Sequence, residues 1–260
     1  MFSKKNKKEE SFTPRDLEAF ERNLAIHGAI RNESESLVKE HKRKRRAAII
    51  VLIIILLILL LWGVSYFTTQ YGDLVVSVDR DLANYGVVLS DTKEFTETAV
   101  VLDGGKADKV YHFTYDWFES LGVINELDSI DGSHNGEDYF AYSFYIRNDG
   151  DKPIDYNASL VVTGVAKSCD EAARIMVYKN GEATVYAKPK RGTEEPEPDT
   201  VAFTDGKTVF NTLREDFESG AVDKYTVVIW FEGNDPECIN DIMGGHMRLS
   251  MLFEAAELEE

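Results

Sequence analysis

Hydrophobic and polar positions follow three regimes along the chain. In the first, Thr13-Pro14-Arg15-Asp16 reads as a helix start, with Thr13 at the N-cap, Pro14 at the first helical position and Asp16 in the first turn. Leu17, Phe20 and Leu24 then recur at helical spacing with Glu18, Glu21 and Arg22 between them, a narrow apolar stripe. Gly28 is placed to end that helix, and Ile30 to Lys44 reads as another. Met1 to Glu10 is rich in Lys and Glu and reads as disordered. The second regime, Ala47 to Phe67 (AAIIVLIIILLILLLWGVSYF), has no charge and opens with an unbroken apolar run. As a helix its 21 residues would extend about 31 Å, the thickness of a bilayer's hydrocarbon core. Trp62, Tyr66, Phe67 and Tyr71 gather at its end, as aromatic residues do at a membrane interface.

From Gly72 the period changes to two. Leu74–Asp79, Tyr139–Arg147, Ile154–Thr163, Tyr225–Phe231 and His246–Phe253 read as strands. Ile154, Tyr156, Ala158, Leu160 and Val162 share one face while Asp155, Asn157 and Ser159 take the other, a strand with one wet side. Ile175–Lys179 and Glu182–Ala187 flank Asn180-Gly181, the signature of a type I′ hairpin. Tyr225–Phe231 is apolar on both faces and should lie centrally in its sheet. Short helices are expected at Tyr115–Leu121, Asp170–Arg174 and Leu213–Ser219, and Pro189–Pro198 reads as a loop. About ten short strands imply an all-β sandwich, jelly-roll-like, behind a single transmembrane helix and a short cytoplasmic helical segment.

Charge fixes the expected orientation. Residues 1–46 hold 13 basic and 8 acidic residues, 47–72 hold none, and the rest hold 16 basic and 38 acidic, a net of −22. Lys42-Arg43-Lys44-Arg45-Arg46 abuts the apolar run and Asp73 is the first charge beyond it. The positive-inside rule puts the N-terminus in the cytoplasm and the acidic domain outside the cell membrane. A cleaved signal peptide would need a shorter apolar core and an A-x-A-like site, so an uncleaved signal anchor is the expectation. The domains expected are 1–46, cytoplasmic; 47–67, transmembrane; 68–73, a juxtamembrane linker; 74–254, the sandwich; and 255–260, an acidic tail. The lipid bilayer is then one partner, and the basic run would also attract anionic lipid. A large acidic domain excludes nucleic acid.

Candidate chemistry is thin. His112, His134 and His246 are isolated, with no HExxH pair, no G-x-S-x-G elbow is present, and neither cysteine has a nucleophile's context. No enzyme is expected and no catalytic residue or cofactor is named. Asp128, Asp131, Asn135, Glu137 and Asp138 gather hard oxygen donors in one loop, a weak candidate for calcium that lacks EF-hand spacing. Glu232-Gly233-Asn234-Asp235-Pro236-Glu237 is a second acidic loop of the same kind. Cys169 and Cys238 both fall just past strand ends. They are a disulfide candidate if their rims coincide, and separate thiols otherwise.

Val227 to Phe253 (VVIWFEGNDPECINDIMGGHMRLSMLF) joins an aliphatic run into Trp230 to Glu232-Gly233, Asp235-Pro236, Cys238, the Gly244-Gly245 pair and a final alternating strand. This resembles the C-terminal signature of the TasA/camelysin family of Gram-positive cell-surface proteins. Tyr142-Ser143-Phe144-Tyr145 with Arg147-Asn148 and Gly150 is similar to that family's mid-domain strand. The resemblance implies a jelly-roll-like sandwich with a role in matrix fibres or surface display. The protease activity described for camelysin is not carried over, because no metal motif is recognisable. The chain departs from the family in its long cytoplasmic segment and uncleaved anchor. The expected function is therefore a membrane-anchored surface protein with a structural, matrix or binding role toward a protein partner or surface matrix component. The alternative is a signalling or assembly protein that docks a cytoplasmic partner through residues 13–46.

Overall fold

The computed structural model describes residues 14–15, 18–26, 43–46, 49–60, 73–107, 110, 112–120, 124 and 126–256. Outside the described residues lie the stretch Met1–Glu10, the Thr13 cap, Asp16, the break at Gly28, most of the segment from Ile30 to Lys44, both ends of the 47–67 run, the linker before Asp73 and the last four residues of the tail. The chain divides into two units, Met1–Thr68 and Thr69–Glu260. In the first, residues 18–26, 43–46 and 49–60 are helical, and every side chain of 49–60 is exposed. Among the described residues no helix is long and apolar enough to cross a membrane.

The second unit is two packed sheets, with strands numbered in chain order. The five-stranded sheet runs β11 (Thr208–Phe217), β7 (Ile154–Val165), β13 (Met247–Ala255), β1 (Leu74–Val78), β3 (Val101–Asp103). The eight-stranded sheet has the order β10 (Val201–Ala202), β9 (Glu182–Ala187), β8 (Ala173–Lys179), β12 (Val222–Glu232), β6 (Phe140–Asn148), β2 (Val87–Ser90). In that sheet β4 (His112–Phe113) pairs with the end of β12, and β5 (Gly132–Ser133) with β6. Strand alternation builds the core between the sheets. Tyr156, Ala158, Leu160 and Val162 of β7 point in, with Leu249, Met251 and Phe253 of β13, to meet Phe140, Tyr142 and Phe144 of β6 and Val227 of β12. A buried polar link crosses this core. The Tyr156 hydroxyl donates to Asp223 at 2.7 Å and lies 3.2 Å from the Tyr225 hydroxyl, while Asn180 donates to the other oxygen of Asp223.

β12 is central, as its doubly apolar sequence requires: β8 and β6 flank it. Val227 and Ile229 face the five-stranded sheet. Val228 and Trp230 face a second core with Phe113, Leu127, Ala141, Met176 and Tyr178, capped by the segment that carries β4 and the helix Tyr115–Ser120. The Asn180-Gly181 hairpin forms with positive φ at both residues, +52° and +89°, as a type I′ turn demands.

Two expected helices are corrected. Leu213–Ser219 is not helical: β11 pairs with β7 from Thr208 to Phe217, anchored by buried Val209, Phe210 and Phe217. The helix-favouring Leu-Arg-Glu-Asp stretch is overridden by that ladder and bends at a bulge after Arg214, where Asp216 has φ +51°. At Asp170–Arg174 only a single 3₁₀ turn, Cys169–Glu171, precedes β8, because Arg174 is already in register opposite Trp230.

Candidate functional site: an acidic cleft at a sandwich rim

In the antiparallel β8–β12 pair, Arg174 lies opposite Trp230, so both side chains project from the outer face of the eight-stranded sheet. Trp230 stacks on Phe113 and Tyr115, with ring centres 6.2 and 6.0 Å away. Glu232, the last residue of β12, fixes the turn that follows. One carboxylate oxygen accepts from the Tyr115 backbone N–H at 3.0 Å and the Trp230 Nε1–H at 3.3 Å, and the other accepts from the Asn234 N–H at 3.2 Å. The turn then brings Asp235 back over the sheet.

Asp235 is the centre of the site. Its Oδ2 accepts from Arg174 Nη2 at 2.7 Å, and its Oδ1 accepts from the Glu237 N–H at 2.8 Å. Glu197 arrives from the loop between β9 and β10 and stands 3.5 Å from the same guanidinium nitrogen. Its position is held by Thr200, whose N–H and hydroxyl both donate to the Glu197 carbonyl. Carboxylate oxygens of Glu197, Asp235 and Glu237 lie within 4.8 Å of one another, the one such convergence among the described residues. A single buried arginine therefore faces two of these acids, Asp235 and Glu197. Burial first, and then repulsion from Asp235, hold the Glu197 carboxyl above the usual carboxylate range. Hydrogen bonding to Asp235, with some burial and the same repulsion, raises Glu237.

The cluster forms one wall of a cleft of about 880 Å³ bounded by Tyr115, Val185, Lys190, Thr200 and Pro236. A second hollow of about 540 Å³ continues along β8 and β9 over Met176, Tyr178 and Ala183, and shares Tyr115 and Val185 with the first. The three carboxylates are donors of the type a hard cation takes, although Arg174 already occupies an oxygen of Asp235.

The loop expected to hold calcium does not assemble. Asp128 accepts from the Thr226 hydroxyl at 2.7 Å, and Asp131 accepts from the Tyr145 hydroxyl and the Lys93 N–H. Lys224 lies 3.9 Å from Asp128 and 3.6 Å from Asp131. Asn135 accepts from the Ala141 N–H and donates to the Lys106 carbonyl, Glu137 is exposed and Asp138 half-exposed. Asp128, Asp131 and Asn135 are thus engaged by a lysine, hydroxyls and backbone groups, and the carboxylates of this loop form no ligand cluster among the described residues. The second acidic loop does supply a cluster, through Asp235 and Glu237, but Arg174 and Glu197 were invisible to pattern reading. Arg174 sat in an expected helix, and Glu197 was one acid among several in a Pro-rich loop.

Cys169 and Cys238 are both unbridged. β8 begins where β12 ends, so the two residues do share a rim, yet Cys169 is buried in the inter-sheet core against Gly245 and Cys238 sits half-buried in the turn beyond Asp235. Burial pushes the Cys169 thiol up to about 11, and burial followed by repulsion from Asp235 raises Cys238. Gly245 is required there: a Cβ would come within 2.8 Å of the Ala166 and Ile242 carbonyl oxygens. His112 and His246 are exposed, while His134 lies partly buried with Nδ1 2.9 Å from the Gly132 carbonyl.

No protein-family model and no curated protein matches this chain. Two solved structures of a β-glucosidase from Kluyveromyces marxianus, one in complex with glucose and one labelled with selenomethionine, align with it at 17% and 16% identity. They cover 45% and 44% of this chain and 12% and 11% of their own, each with a TM-score of 0.21. The chain therefore spans about a tenth of the length of those structures, and a likeness at that score carries no argument.

Proposed function

We propose that this chain is a single-pass, membrane-anchored cell-surface protein whose jelly-roll-like sandwich has a structural, matrix or binding role outside the cell. The observation that carries the reading is the uncharged 47–67 run between the pentabasic Lys42–Arg46 and Asp73, whose described part, 49–60, is helical with all of its side chains exposed. A continuous row of exposed Ile, Leu and Val is unstable in water and suits hydrocarbon. The basic flank favours a cytoplasmic N-terminus and an exterior sandwich of net charge −22. The TasA-like pattern from Trp230 to Phe253 favours a matrix or display role, in which the partners are the bilayer and a protein or matrix component at the surface. The proposed role is non-catalytic.

Placing charges in the middle of the run tests the anchor. Each lysine at the centre of a membrane helix costs about 2.5–3.5 kcal/mol on insertion scales. An Ile54→Lys/Leu57→Lys variant should leave the membrane fraction, whereas retention there at the wild-type level would remove the anchor from the account.

A second reading has its own support. The helix over 18–26 exposes Phe20, Leu24 and Ile26 with nothing of their own unit covering them among the described residues. That stripe would suit a cytoplasmic partner, with residues 13–46 coupling it to the sandwich. Deleting Met1–Glu40 while keeping Lys42–Arg46 separates the readings: surface function survives under the first and is lost under the second.

A further inference from the structure

We infer that the rim of the sandwich at Asp73 rests on the lipid surface, with Ile239 and Met243 dipped among the headgroups. Strand directions define this rim: β1 and β13 start at it, β7 and β12 end at it, and the segment 233–246 joins the two sheets across it. Asp73 is fixed there. Its N–H donates to the Gly105 carbonyl at 2.7 Å, its carbonyl accepts from the Leu249 N–H at 2.8 Å, and its carboxylate accepts from the Ala107 N–H at 3.0 Å. The apolar run ends at Phe67, six residues earlier, so even a fully extended chain puts no more than about 20 Å between Phe67 and Asp73. A bilayer that holds the run is therefore presented to this rim at high effective concentration. The opposite rim, where Gly86 pairs with Asp149, has no such tether.

The tethered rim is also where the sandwich shows apolar side chains. Met243 is 66% exposed, the most of any large hydrophobic residue among those described, and Ile239 is 53% exposed. They flank the 3₁₀ turn Asn240–Ile242, which is closed by Ile242 N–H to the Ile239 carbonyl and Met243 N–H to the Asn240 carbonyl. Ile242 packs against the inter-sheet core, and Lys167 donates to the Met243 carbonyl. The turn is thus held from beneath while its two flanking side chains face outward, an arrangement that suits a cover. Charge does not oppose lipid on this side. Lys106, His246 and Arg248 lie close enough to Asp73 to act on its charge. With Lys167 they set three lysine and arginine charges against Asp73, Asp103 and Asp241, a local balance in a segment of net −22. The crowded carboxylates of the rim, Glu197, Asp235 and Glu237, belong instead to the eight-stranded sheet. A charge-balanced surface with long lysine stems and an apolar tip fits the boundary between headgroups and acyl chains.

The inference rests on the anchor reading, and one experiment separates the two. The full chain, with Cys169→Ala/Cys238→Ala, is reconstituted into phosphatidylcholine vesicles that contain a lipid with a nitroxide high on its acyl chain. Single cysteines carrying an environment-sensitive fluorophore are placed by Ile239→Cys, Met243→Cys, Thr193→Cys or Tyr85→Cys. All four positions are exposed, so the labels leave the core intact. Thr193 lies on the same rim at the eight-stranded sheet, and Tyr85 on the opposite rim. Vesicle flotation comes first, and quenching is read on the floated chain. Labels at Ile239 and Met243 should shift to the blue and lose fluorescence to the nitroxide, while those at Thr193 and Tyr85 keep theirs. Equal quenching at Met243 and Thr193 would mean that the sandwich only tumbles on its tether, and no quenching at Met243 would mean that the tip stays in water. Either result overturns the inference and leaves the anchor standing. A chain that does not float with the vesicles would remove the anchor and this inference together.

Discussion

Removing Arg174 tests the electrostatic account of the rim. The Arg174 side chain is 5% exposed and that of Asp235 has no exposed surface, so the pair is shielded from solvent screening. Arg174→Met keeps most of the aliphatic stem and deletes the charge. Asp235 is then buried without its partner, within 4.8 Å of two further carboxylates. At an effective dielectric of about 20, two like charges at that distance repel by about 3.5 kcal/mol. Breaking a buried ion pair from one side costs about 3–5 kcal/mol, the same scale. The sign of the pH dependence follows. Without the guanidinium the folded-state carboxyls hold protons more tightly than in the unfolded chain, so the variant loses stability as pH rises and regains it as pH falls, by up to about 1.4 kcal/mol per unit per group. Urea unfolding followed by tryptophan fluorescence, at about pH 5 and about pH 8, measures both effects. A loss of 3–5 kcal/mol at the higher pH that shrinks at the lower one is expected. A loss under about 1 kcal/mol, the value of an exposed pair, or an equal loss at both pH values would refute the reasoning.

Other predictions follow from the same structure. Trp230, 1% exposed between β4 and Tyr115, should cost about 3–5 kcal/mol when truncated to alanine, read by urea unfolding; a loss near zero would place the strand at the periphery. Glu197 and Glu237 have raised folded-state values, so their contribution is complete below the ordinary glutamate value of 4.5 and fades as pH rises through the raised ones; Glu197→Gln should flatten the stability–pH curve just above that value, and an unchanged slope would contradict the shift. Native alkylation should modify Cys238 well before Cys169, with two adducts by intact mass only after urea; a mass two hydrogens short and no adduct would show a bridge. Gly181→Val should cost at least about 1–2 kcal/mol, because φ is +89° there, and a neutral result would rule out the type I′ turn.

The fold was legible where burial is one-sided or complete. The Ile154–Val162 alternation placed β7, Asn180-Gly181 placed a hairpin, and the doubly apolar Tyr225–Phe231 placed a central strand. The reading failed where side chains are spent on distant partners. Leu213-Arg214-Glu215-Asp216 has helical propensity, but β7 supplies a ladder that only tertiary structure reveals. Asp128 and Asp131 resemble a calcium loop until Lys224, Thr226 and Tyr145 arrive from strands far along the chain. Half of the rim cluster was legible as the Glu232–Glu237 loop. Arg174 and Glu197 could not be added, because only the β8–β12 register and the return of the β9–β10 loop bring them together.

Thiol accessibility in intact cells tests the central claim most directly. With Cys169 and Cys238 replaced by alanine, single cysteines are introduced at Glu40, before the basic run, and at Thr193, exposed in the loop after β9. The account predicts that a membrane-impermeant maleimide labels the Thr193→Cys chain in intact cells and the Glu40→Cys chain only after permeabilisation. Labelling of both before permeabilisation, of neither, or of Glu40→Cys alone would contradict a single-pass anchor with an exterior sandwich.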